Sequence, residues 1–566
     1  MTIATRLAGA LAMLSLCAGL AGCGAGTAQG FAAPSSNGAG SSGSGGSGTG
    51  SGPGSGSGSG ASSATPSPGP GVSPSSTDIL EDGVSGEIPI ADQIDGKSAL
   101  GYHRGLVLVG TQPIQDRGAN FAMAWVGSCA YVTTTSATQL FGATNNPYVV
   151  PSNNVLNGMA VIDVSNPANP KLVSILQSPA MLDPHESLQG NDARHIIVGT
   201  SSSGNNLDVY DASDCTHPVL KASIQIGPGI NADVTQGITF RGHAMCLSPD
   251  GTMAYATGTP FNNAAIDLTN LSNPVVKQLF VPAAHDCDVS PDGNRLYLAV
   301  YGGAAFGTAG LILSPTGQIL DSVDGDLPPY GTSNFNGMLV LDSSQFQAHA
   351  ASPHFSVIGQ LQWTPEGENE VATAGSHTSR YFVNNGHPYL YSSDEWPVFN
   401  SCPWGHGRIL DISDETAPTK IADITLGVQE QSNCLASETD DANYSAHYAG
   451  IDSQSNAKLL FTTEYAGGLR VYDIGNPYSP VEIAYYHPAP IFNEPLATGS
   501  QVFGSDGTGW EAVPTYVHYV PSNGDIWAVG FTTGFNVFHL SRSAGPMPAL
   551  KARKSLPIFP GVRRIL

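Results

Sequence analysis

The chain has 566 residues and carries 21 lysines and arginines against 45 aspartates and glutamates, which gives a formal net charge of -24. Such an acidic chain is a poor partner for nucleic acid, because contacts to phosphate need positive charge. The length is sufficient for one large closed core.

Residues 1–22 have the pattern of a bacterial lipoprotein signal peptide. Arg6 supplies the positive charge, residues 7–20 are apolar, and Cys23 directly follows Leu-Ala-Gly. The pattern predicts that Cys23 becomes the lipid-modified first residue of an extracytoplasmic protein, held in the outer membrane if the cell has two, since Gly24 follows it. An ordinary secretory signal or a membrane-spanning helix is the alternative, although the apolar stretch is shorter than the roughly 20 residues that a span needs.

Three further segments flank the predicted fold. Residues 23–77 are almost entirely Gly, Ser, Ala, Thr and Pro, which predicts a flexible tether with a typical reach of about 40 Å. Residues 78–101 form an irregular lead-in. Residues 542–566 include six of the 21 lysines and arginines, five of them after residue 550, and we interpret them as a disordered tail, with a contact to a membrane or polyanion as the alternative.

Between residues 158 and 480 the chain repeats an alternating apolar strand that ends in Asp and is usually followed by proline. The six copies are GMAVIDVSNPANP (158–170), NLDVYDASDCTHP (206–218), NAAIDLTNLSNP (263–274), GMLVLDSSQFQ (337–347), GRILDISDETAP (407–418) and LRVYDIGNPYSP (469–480). Asp can close an Asx-type turn, while proline cannot extend a strand ladder. Repeats of this kind predict units that bury their apolar faces against one another.

Each copy is accompanied by further short strands. Runs such as AYVTTT, LYLAV and LLFTT precede the copies, another strand precedes each run, and a fourth follows each copy; four short strands joined by turns are typical of a propeller blade. A seventh unit begins near Tyr516 but has no outermost strand, which GLVLVGT (105–111) can supply. We therefore predict an all-β fold over 102–541, a seven-bladed β-propeller of four-stranded blades. An N-terminal strand closes its ring and removes exposed sheet edges.

These repeats resemble a known family. MAVIDVSNPANPKLV and GGLRVYDIGNPYSP look like the units of LVIVD-repeat propellers, which are secreted or surface-anchored bacterial proteins, and SPDGTMAY and SPDGNRLY are similar to hairpins of YVTN-type surface propellers. The resemblance spans roughly residues 102–541. It implies an extracytoplasmic propeller and no single activity.

Six cysteines remain outside the signal peptide and its lipidation position. An even number in an exported protein predicts disulfides, and the blade alignment reduces fifteen possible pairings to three bridges. The predicted pairs are Cys129 with Cys215, Cys246 with Cys287, and Cys402 with Cys434. The alternative for the second pair is that Cys246 and Cys287 are thiolate metal ligands beside the neighbouring histidines.

Superposition of the repeats brings five histidines into one register. They are His185, His243, His285, His377 and His447, and each is predicted to start the innermost strand of its blade. Because that strand lines the channel of a propeller, we expect the five imidazoles to converge at one mouth. His518 lies three places late, Thr515 holds the matched position in the seventh blade, and Ala119 or Asn120 holds it in the first. The alternative is that the histidines have a structural role at this repeat position and bind no metal or ligand.

Carboxylates are predicted near this ring. Strand order places Glu395 near His377 and Glu464 near His447, whereas alternation along a strand would turn Glu186 and Asp286 away from the axis. Imidazoles with one or two carboxylates suit Cu, Zn, Mn or Fe, and make Glu395 and Glu464 candidate catalytic bases. The ring is also similar to that of the selenium-binding and methanethiol oxidase family, whose copper-dependent oxidases share the seven-bladed form; the longer signatures of that family are not found.

The sequence therefore leaves three hypotheses. The first is a lipid-anchored module that binds a protein or glycan through loops of the histidine face, namely 135–157, 302–336, 363–376, 429–445 and 488–514. The second is a metal-dependent extracytoplasmic enzyme, such as an oxidoreductase, that uses the five histidines. The third is a structural component of the envelope. The chain contains no G-x-S-x-G elbow, P-loop or H-E-x-x-H motif.

Overall fold

The computed structural model of the chain describes most of the predicted propeller. The described residues are 78–81, 83–114, 117, 119–135, 158–202, 204–227, 240–258, 263–280, 282, 284–300, 312–313, 319–320, 336–363, 375–395, 402–434, 443–489, 514–531 and 533–541. All of them lie within one compact unit, Ser67–Leu566. The predicted signal peptide, tether and basic tail, and most of the long loops, lie outside the described residues.

The described part of the chain is built from short strands. In chain order they are β1 Tyr102–Arg104, β2 Leu106–Gln112, β3 Ala119–Val126, β4 Cys129–Thr135, β5 Met159–Asp163, β6 Lys171–Leu176, β7 Leu188–Asn191, β8 Ile196–Thr200, β9 Asn206–Asp211, β10 Val219–Gln225, β11 Met245–Leu247, β12 Met253–Ala256, β13 Asn263–Asp267, β14 Val275–Phe280, β15 Asp286–Val289, β16 Arg295–Val300, β17 Ile312–Leu313, β18 Ile319–Leu320, β19 Gly337–Asp342, β20 Ser356–Gln362, β21 Ser376–Asn384, β22 His387–Asp394, β23 Gly407–Asp411, β24 Thr419–Ile424, β25 Ala449–Ile451, β26 Leu459–Thr463, β27 Leu469–Asp473, β28 Val481–His487, β29 Pro514–Val520, β30 Asp525–Gly530 and β31 Gly534–Leu540. The same residues contain two short helices, α1 Ile90–Asp95 and α2 Ser344–Gln347, and four 3-10 turns at Lys97–Leu100, Gly427–Gln429, Gln431–Asn433 and Tyr465–Gly467.

Seven antiparallel sheets form the blades of a ring; blades 1 to 6 run outward in chain order, and blade 7 takes its outermost strand from the N-terminal part of the chain. From the innermost strand, blade 1 is β3-β4-β5-β6, blade 2 β7-β8-β9-β10, blade 3 β11-β12-β13-β14, blade 4 β15-β16-β19-β20, blade 5 β21-β22-β23-β24, blade 6 β25-β26-β27-β28, and blade 7 β29-β30-β31-β2. Each innermost strand contacts that of the next blade, and β29 contacts β3. The predicted seven-bladed β-propeller is confirmed.

An N-terminal strand closes the ring, as predicted. Strand β2 pairs with β31 from Leu106 opposite Leu540 to Gln112 opposite Phe535, so it is the outermost strand of the last blade. Strand β1 was not predicted: it adds a fifth strand to blade 6, where Tyr102 lies opposite His487. The chain therefore joins its first two strands to its last two blades.

The repeated Asp makes the same turn in all six copies. The Oδ1 atom of each accepts the backbone N–H two residues later, at 2.8 to 3.0 Å; the residues are Asp163, Asp211, Asp267, Asp342, Asp411 and Asp473. This is the predicted Asx-type turn. It ends the third strand of blades 1 to 6 at the face opposite the histidines.

The core lies between adjacent sheets. Ile196 and Val198 of blade 2, for example, are fully buried in one cluster with Ala254 and Ile266 of blade 3. Alternate residues of each strand face one neighbour or the other, which explains why the third strands read as nearly continuous apolar runs.

The lead-in, predicted to be irregular, contains α1 and a 3-10 turn and packs onto blades 5 and 6. Glu81 is buried in an ion pair with Arg470, at 2.5 Å between Oε1 and Nη2. Ile88 is 1% exposed and joins a cluster with Leu426 and Tyr444. The lead-in is therefore part of the packed fold.

Three disulfides join the six cysteines in the predicted pairs. Cys129–Cys215 links blades 1 and 2, Cys246–Cys287 links the innermost strands of blades 3 and 4, and Cys402–Cys434 links loops on the histidine face. Cys246 and Cys287 therefore offer no thiolate ligands. Among the described residues, no helix has the length and apolar character needed to cross a membrane.

Candidate metal centre at one end of the channel

The five predicted histidines converge where the innermost strands begin. Successive imidazole centroids are 5.0, 4.0, 3.9 and 4.3 Å apart in the order His185, His243, His285, His377 and His447. Phe121 of blade 1 completes the circle, with its ring 4.1 Å from that of His185 and 5.7 Å from that of His447. Four of the imidazoles are buried, and His243 keeps 18% of its side-chain surface exposed.

The preceding blade anchors three of these histidines through the backbone. A hydroxyl near the end of its second strand donates to the histidine carbonyl oxygen. The pairs are Thr133 with His185, Thr257 with His285, and Ser393 with His447. The Thr and Ser residues at the ends of the second strands, as in AYVTTT and YLYSS, therefore help to place these three imidazoles around the axis.

Glu186 lies at the centre of the ring, so the prediction that it turns away from the axis is wrong. Its Oε1 is 2.7 Å from Nε2 of His447, and its Oε2 is 3.5 Å from Nε2 of His243. His185 has a φ of 55°, in the left-handed region, and β7 begins only at Leu188. Strand alternation therefore does not apply at residue 186, and both side chains reach the channel.

Of the two predicted bases, the structure brings only Glu395 to the ring. Its Oε2 is 3.6 Å from Nε2 of His285 and 3.7 Å from that of His377. Glu464, expected near His447, instead accepts from Thr462 Oγ1 at 2.6 Å and Gln429 Nε2 at 2.7 Å. It follows the last residue of β26, where the chain turns into a 3-10 helix, and it joins none of the clustered donor sets.

The environment gives the ring side chains different protonation tendencies. Burial lowers the pKa of His185 to about 3, and burial with the nearby His377 and His243 lowers that of His285 well below its ordinary value. Burial alone would lower the pKa of His447, but the Glu186 carboxylate raises it. Neutral imidazole is the form that binds metals, so His185 and His285 are available as ligands at neutral pH.

The carboxylate at the centre stays ionised. Burial alone would raise the pKa of Glu186, but the surrounding imidazoles, His185 foremost, lower it well below its ordinary value. A buried carboxylate needs positive charge or hydrogen-bond donors around it. Tyr448 supplies one donor, with its hydroxyl 3.2 Å from Oε2 of Glu186.

The donor set fits a metal ion. His377 is fully buried, and neither of its ring nitrogens has a hydrogen-bond partner among the described residues; its Nε2 lies 3.7 Å from Glu186 and from Glu395. An unsatisfied buried polar group costs about 1–3 kcal/mol. Nε2 atoms of His243 and His285 lie 2.6 Å apart, and two facing lone pairs at that distance need a shared proton or cation. Three groups of His and Glu have ligand atoms within 4.8 Å of one another.

The other end of the channel is a separate cavity of about 640 Å³. Arg380 lies between cavity and ring: its Nη1 donates to Asp286 at 3.0 Å, and its guanidinium lies 5.4 Å from the centroid of Tyr448. Asp286 is thus paired outside the ring. His518 lines this cavity and stacks on Trp125, with centroids 3.4 Å apart. Its three-residue offset in the repeat therefore puts it at the opposite end from the other histidines.

One part of the chain matches a known family model. Residues 148–177 match the LVIVD repeat, and they include strands β5 and β6 of blade 1. This chain carries an LVIVD repeat. The match falls on the first of the six copies, so the predicted resemblance to LVIVD-repeat propellers is confirmed in the fold and in the repeat.

Other comparisons are distant. A solved structure of a protein from Lactobacillus plantarum, a structural genomics target, is similar at 13% sequence identity with a TM-score of 0.39, over 65% of this chain and 82% of that one. Among curated proteins, none matches the chain significantly.

Proposed function

We propose that this LVIVD-repeat propeller binds a divalent transition metal at the channel mouth. The single observation that supports it most is the convergence of five imidazoles and two carboxylates in a buried site, where His377 has no hydrogen-bond partner among the described residues. Nitrogen and carboxylate donors together suit Cu, Zn, Mn or Fe rather than Ca or Mg. The ligands would be His185, His243, His285, His377 and His447, with Glu186 and Glu395.

The test is metal content and thermal stability of tag-free protein. We expect stoichiometric metal after purification, or a rise in melting temperature when Cu²⁺ or Zn²⁺ is added to the metal-free protein, because an ion that binds only the folded state stabilises it. His285→Ala and His377→Ala should abolish both effects. His387→Ala, which replaces an exposed histidine outside the ring, should leave them unchanged. Absence of metal and of any thermal shift in the wild type would exclude a metal centre.

A metal-dependent oxidoreductase is the second candidate function. It is favoured by Glu395, whose Oε1 accepts a hydrogen bond of 2.6 Å from the buried hydroxyl of Tyr465. A carboxylate and a phenol beside a bound metal would supply a base and a proton donor, and the metal would supply Lewis acidity or electron transfer. Because Glu395 is also a proposed ligand, Glu395→Gln is assayed at a metal concentration that loads the variant fully, and it should then remove turnover of a candidate substrate. Turnover that survives this change would argue against the role of Glu395.

The LVIVD-repeat propeller also supports a role as a binding or interaction module, and we propose that the loops of the histidine face contact a protein or glycan partner. The segments 136–157, 321–335, 364–374, 435–442 and 490–513 of these loops lie outside the described residues. Replacement of one loop at a time by a short Gly-Ser linker should abolish capture of the partner in a glycan or surface-protein screen. Capture unaffected by every replacement would exclude this face.

We further propose that Cys23 anchors the protein to the outside of a membrane, the outer membrane in a cell that has two. The support is the signal pattern before Cys23 and the three disulfides, which are typical of oxidising compartments. Cys23→Ser should release the protein in soluble form. Cys17→Ser, within the apolar stretch, is the matched control and should leave it attached; attachment of Cys23→Ser would contradict the lipid anchor.

A further inference from the structure

The oxygens of Glu186 are divided between two pairs of histidines. Its Oε1 lies 2.7 Å from Nε2 of His447 and 3.7 Å from that of His377. Its Oε2 lies 3.5 Å from Nε2 of His243 and 3.7 Å from that of His285. One carboxylate therefore faces one histidine pair with each oxygen, which is the arrangement of a bridging rather than a terminal ligand.

Glu395 spans the same two pairs from the side. Its Oε1 is 3.8 Å from Nε2 of His447, and its Oε2 lies 3.6 Å from His285 and 3.7 Å from His377. It therefore connects His285 of one pair with both histidines of the other. Both carboxylates therefore lie between the two histidine pairs.

The number of donors also exceeds what one ion can use. The five imidazoles offer one nitrogen each, and the two carboxylates offer four oxygens between them. A transition metal, in contrast, takes about four to six ligands. The described groups whose ligand atoms approach one another form three sets, and these sets share members: Glu186 belongs to two, and so does His377. A single ion would leave several buried donors without a partner, which is costly.

Both carboxylates are held by tyrosine hydroxyls from outside the ring. Tyr448 donates to Oε2 of Glu186 at 3.2 Å, and Tyr465 donates to Oε1 of Glu395 at 2.6 Å. Such second-shell donors orient metal-binding carboxylates and are commonly needed for full affinity. With these hydrogen bonds in place, both oxygens of Glu186 and both of Glu395 still lie within 3.8 Å of a histidine Nε2.

We infer that the ring holds two transition-metal ions bridged by Glu186. One ion is bound by His243 and His285 with His185 beside them, and the other by His377 and His447, while Glu395 contacts the second ion and reaches toward the first. This inference rests on the proposed function and adds the number of ions and the bridging ligand. In two-metal sites the ions lie about 3.5–4 Å apart, a separation that one carboxylate can span.

Copper is the probe for the test, because Cu²⁺ binds such donors most tightly among the divalent first-row metals. Metal-free protein is dialysed against Cu²⁺, and bound copper is counted above the level retained by the double variant His285→Ala/His377→Ala, which removes one ligand from each pair. We expect two copper ions per chain. Electron paramagnetic resonance should detect much less spin than bound copper, because a bridge couples the two unpaired electrons.

Substitutions of two buried glutamates distinguish the loss of the bridging ligand from the general effect of neutralising a buried carboxylate. Glu186→Gln should restore the spin signal of any copper that remains and weaken binding of the second ion by roughly tenfold or more. Glu464→Gln is the matched control, since Glu464 is buried but contacts Thr462 and Gln429 instead of the ring. Glu464→Gln should still bind two copper ions per chain, and its electron paramagnetic resonance signal should still account for much less spin than the bound copper.

The possible outcomes are distinct. No copper above the baseline overturns the proposed function together with this inference. One ion per chain, three ions, or two ions with full spin overturns the inference and leaves the proposed metal binding in place. Two ions with reduced spin in the wild type and in Glu464→Gln, but not in Glu186→Gln, supports it.

Discussion

At the scale of single residues, the histidines could be predicted and the central carboxylate could not. The five histidines share a register position, so superposition of the repeats is enough to bring them together. Glu186 was misplaced because the prediction assumed a regular strand, whereas His185 has a φ of 55° and interrupts it. Phe121, Tyr448 and Tyr465, which wall the site, carry no repeat signal that distinguishes them from core aromatics.

Tyr465→Phe tests whether second-shell hydrogen bonding supports the ring. The change removes the hydroxyl that donates to Glu395 at 2.6 Å and keeps the buried ring. We expect metal affinity to fall by about tenfold to a hundredfold, because an unoriented carboxylate binds less well. Competition with a coloured chelator measures it. Tyr519→Phe, at a tyrosine that stacks on Phe461 away from the ring, is the control; equal affinities in all three proteins would argue against a role for Tyr465.

The buried ion pair of Glu81 and Arg470 predicts a pH-dependent contribution to stability. Burial alone would raise the pKa of Glu81, but Arg470 and His487 lower it from 4.5 to about 2. Since the folded value lies below the unfolded one, the stabilisation is complete above pH 4.5 and is lost as the pH falls toward 2. The shift corresponds to about 3 kcal/mol.

Urea unfolding of the wild type and of Glu81→Gln over this pH range measures the contribution. The wild type should be more stable near neutral pH, and the difference in the free energy of unfolding should shrink between pH 4.5 and about 2. A difference that does not change with pH would show that the carboxylate of Glu81 is not held ionised by Arg470.

At the scale of elements, the blade alignment predicted all three disulfides because it assigned each cysteine to a strand or to one face of the ring. The fifth strand of blade 6 was not predictable in this way. Strand β1 has only three residues, and its partner His487 lies almost 400 positions later, so no local pattern marks the pairing. The helix α1 is similarly short and has no side-chain cap.

The Cys246–Cys287 disulfide links the strands that follow His243 and His285, and its removal should affect the ring. We expect Cys246→Ser/Cys287→Ser to lose about 2–4 kcal/mol of stability and to bind metal at least about tenfold more weakly. The reason is that nothing covalent then holds the two imidazoles at their 2.6 Å separation.

Cys129→Ser/Cys215→Ser is the matched control for this prediction. That bridge joins blades 1 and 2 on the opposite face, from Cys129 at the start of β4 to Cys215 in a turn. Its loss should therefore reduce thermal stability while metal affinity stays at the wild-type level. Equal effects of the two double variants on affinity would mean that the bridge between blades 3 and 4 has no specific role in the site.

At the scale of the whole molecule, the repeat was sufficient to predict the fold, because seven units of four strands can bury their faces only in a ring. It also predicted the closing strand, since the last unit lacks an outer strand and the first apolar run has no blade of its own. It did not predict the contact of the lead-in with blades 5 and 6, which depends on single side chains such as Glu81 and Ile88.

Truncation tests ring closure. A chain that begins at residue 78 retains β2 and should unfold cooperatively as a monomer. A chain that begins at residue 113 loses β1 and β2, exposes the edge of β31 and uncovers the core around Phe538, so it should aggregate or unfold without a sharp transition. Light scattering and differential scanning calorimetry distinguish these states; equal stability of the two chains would contradict closure by β2.

The most direct measurement of metal binding by the ring is anomalous X-ray diffraction from crystals grown with Cu²⁺ or Zn²⁺ and recorded at the absorption edge of the ion. We predict anomalous density among His285, His377 and Glu186, resolved into two peaks when data extend to sufficient resolution. Fully loaded crystals with no density among these residues, or with metal bound only at exposed histidines, would show that the ring is a structural feature and not a metal centre.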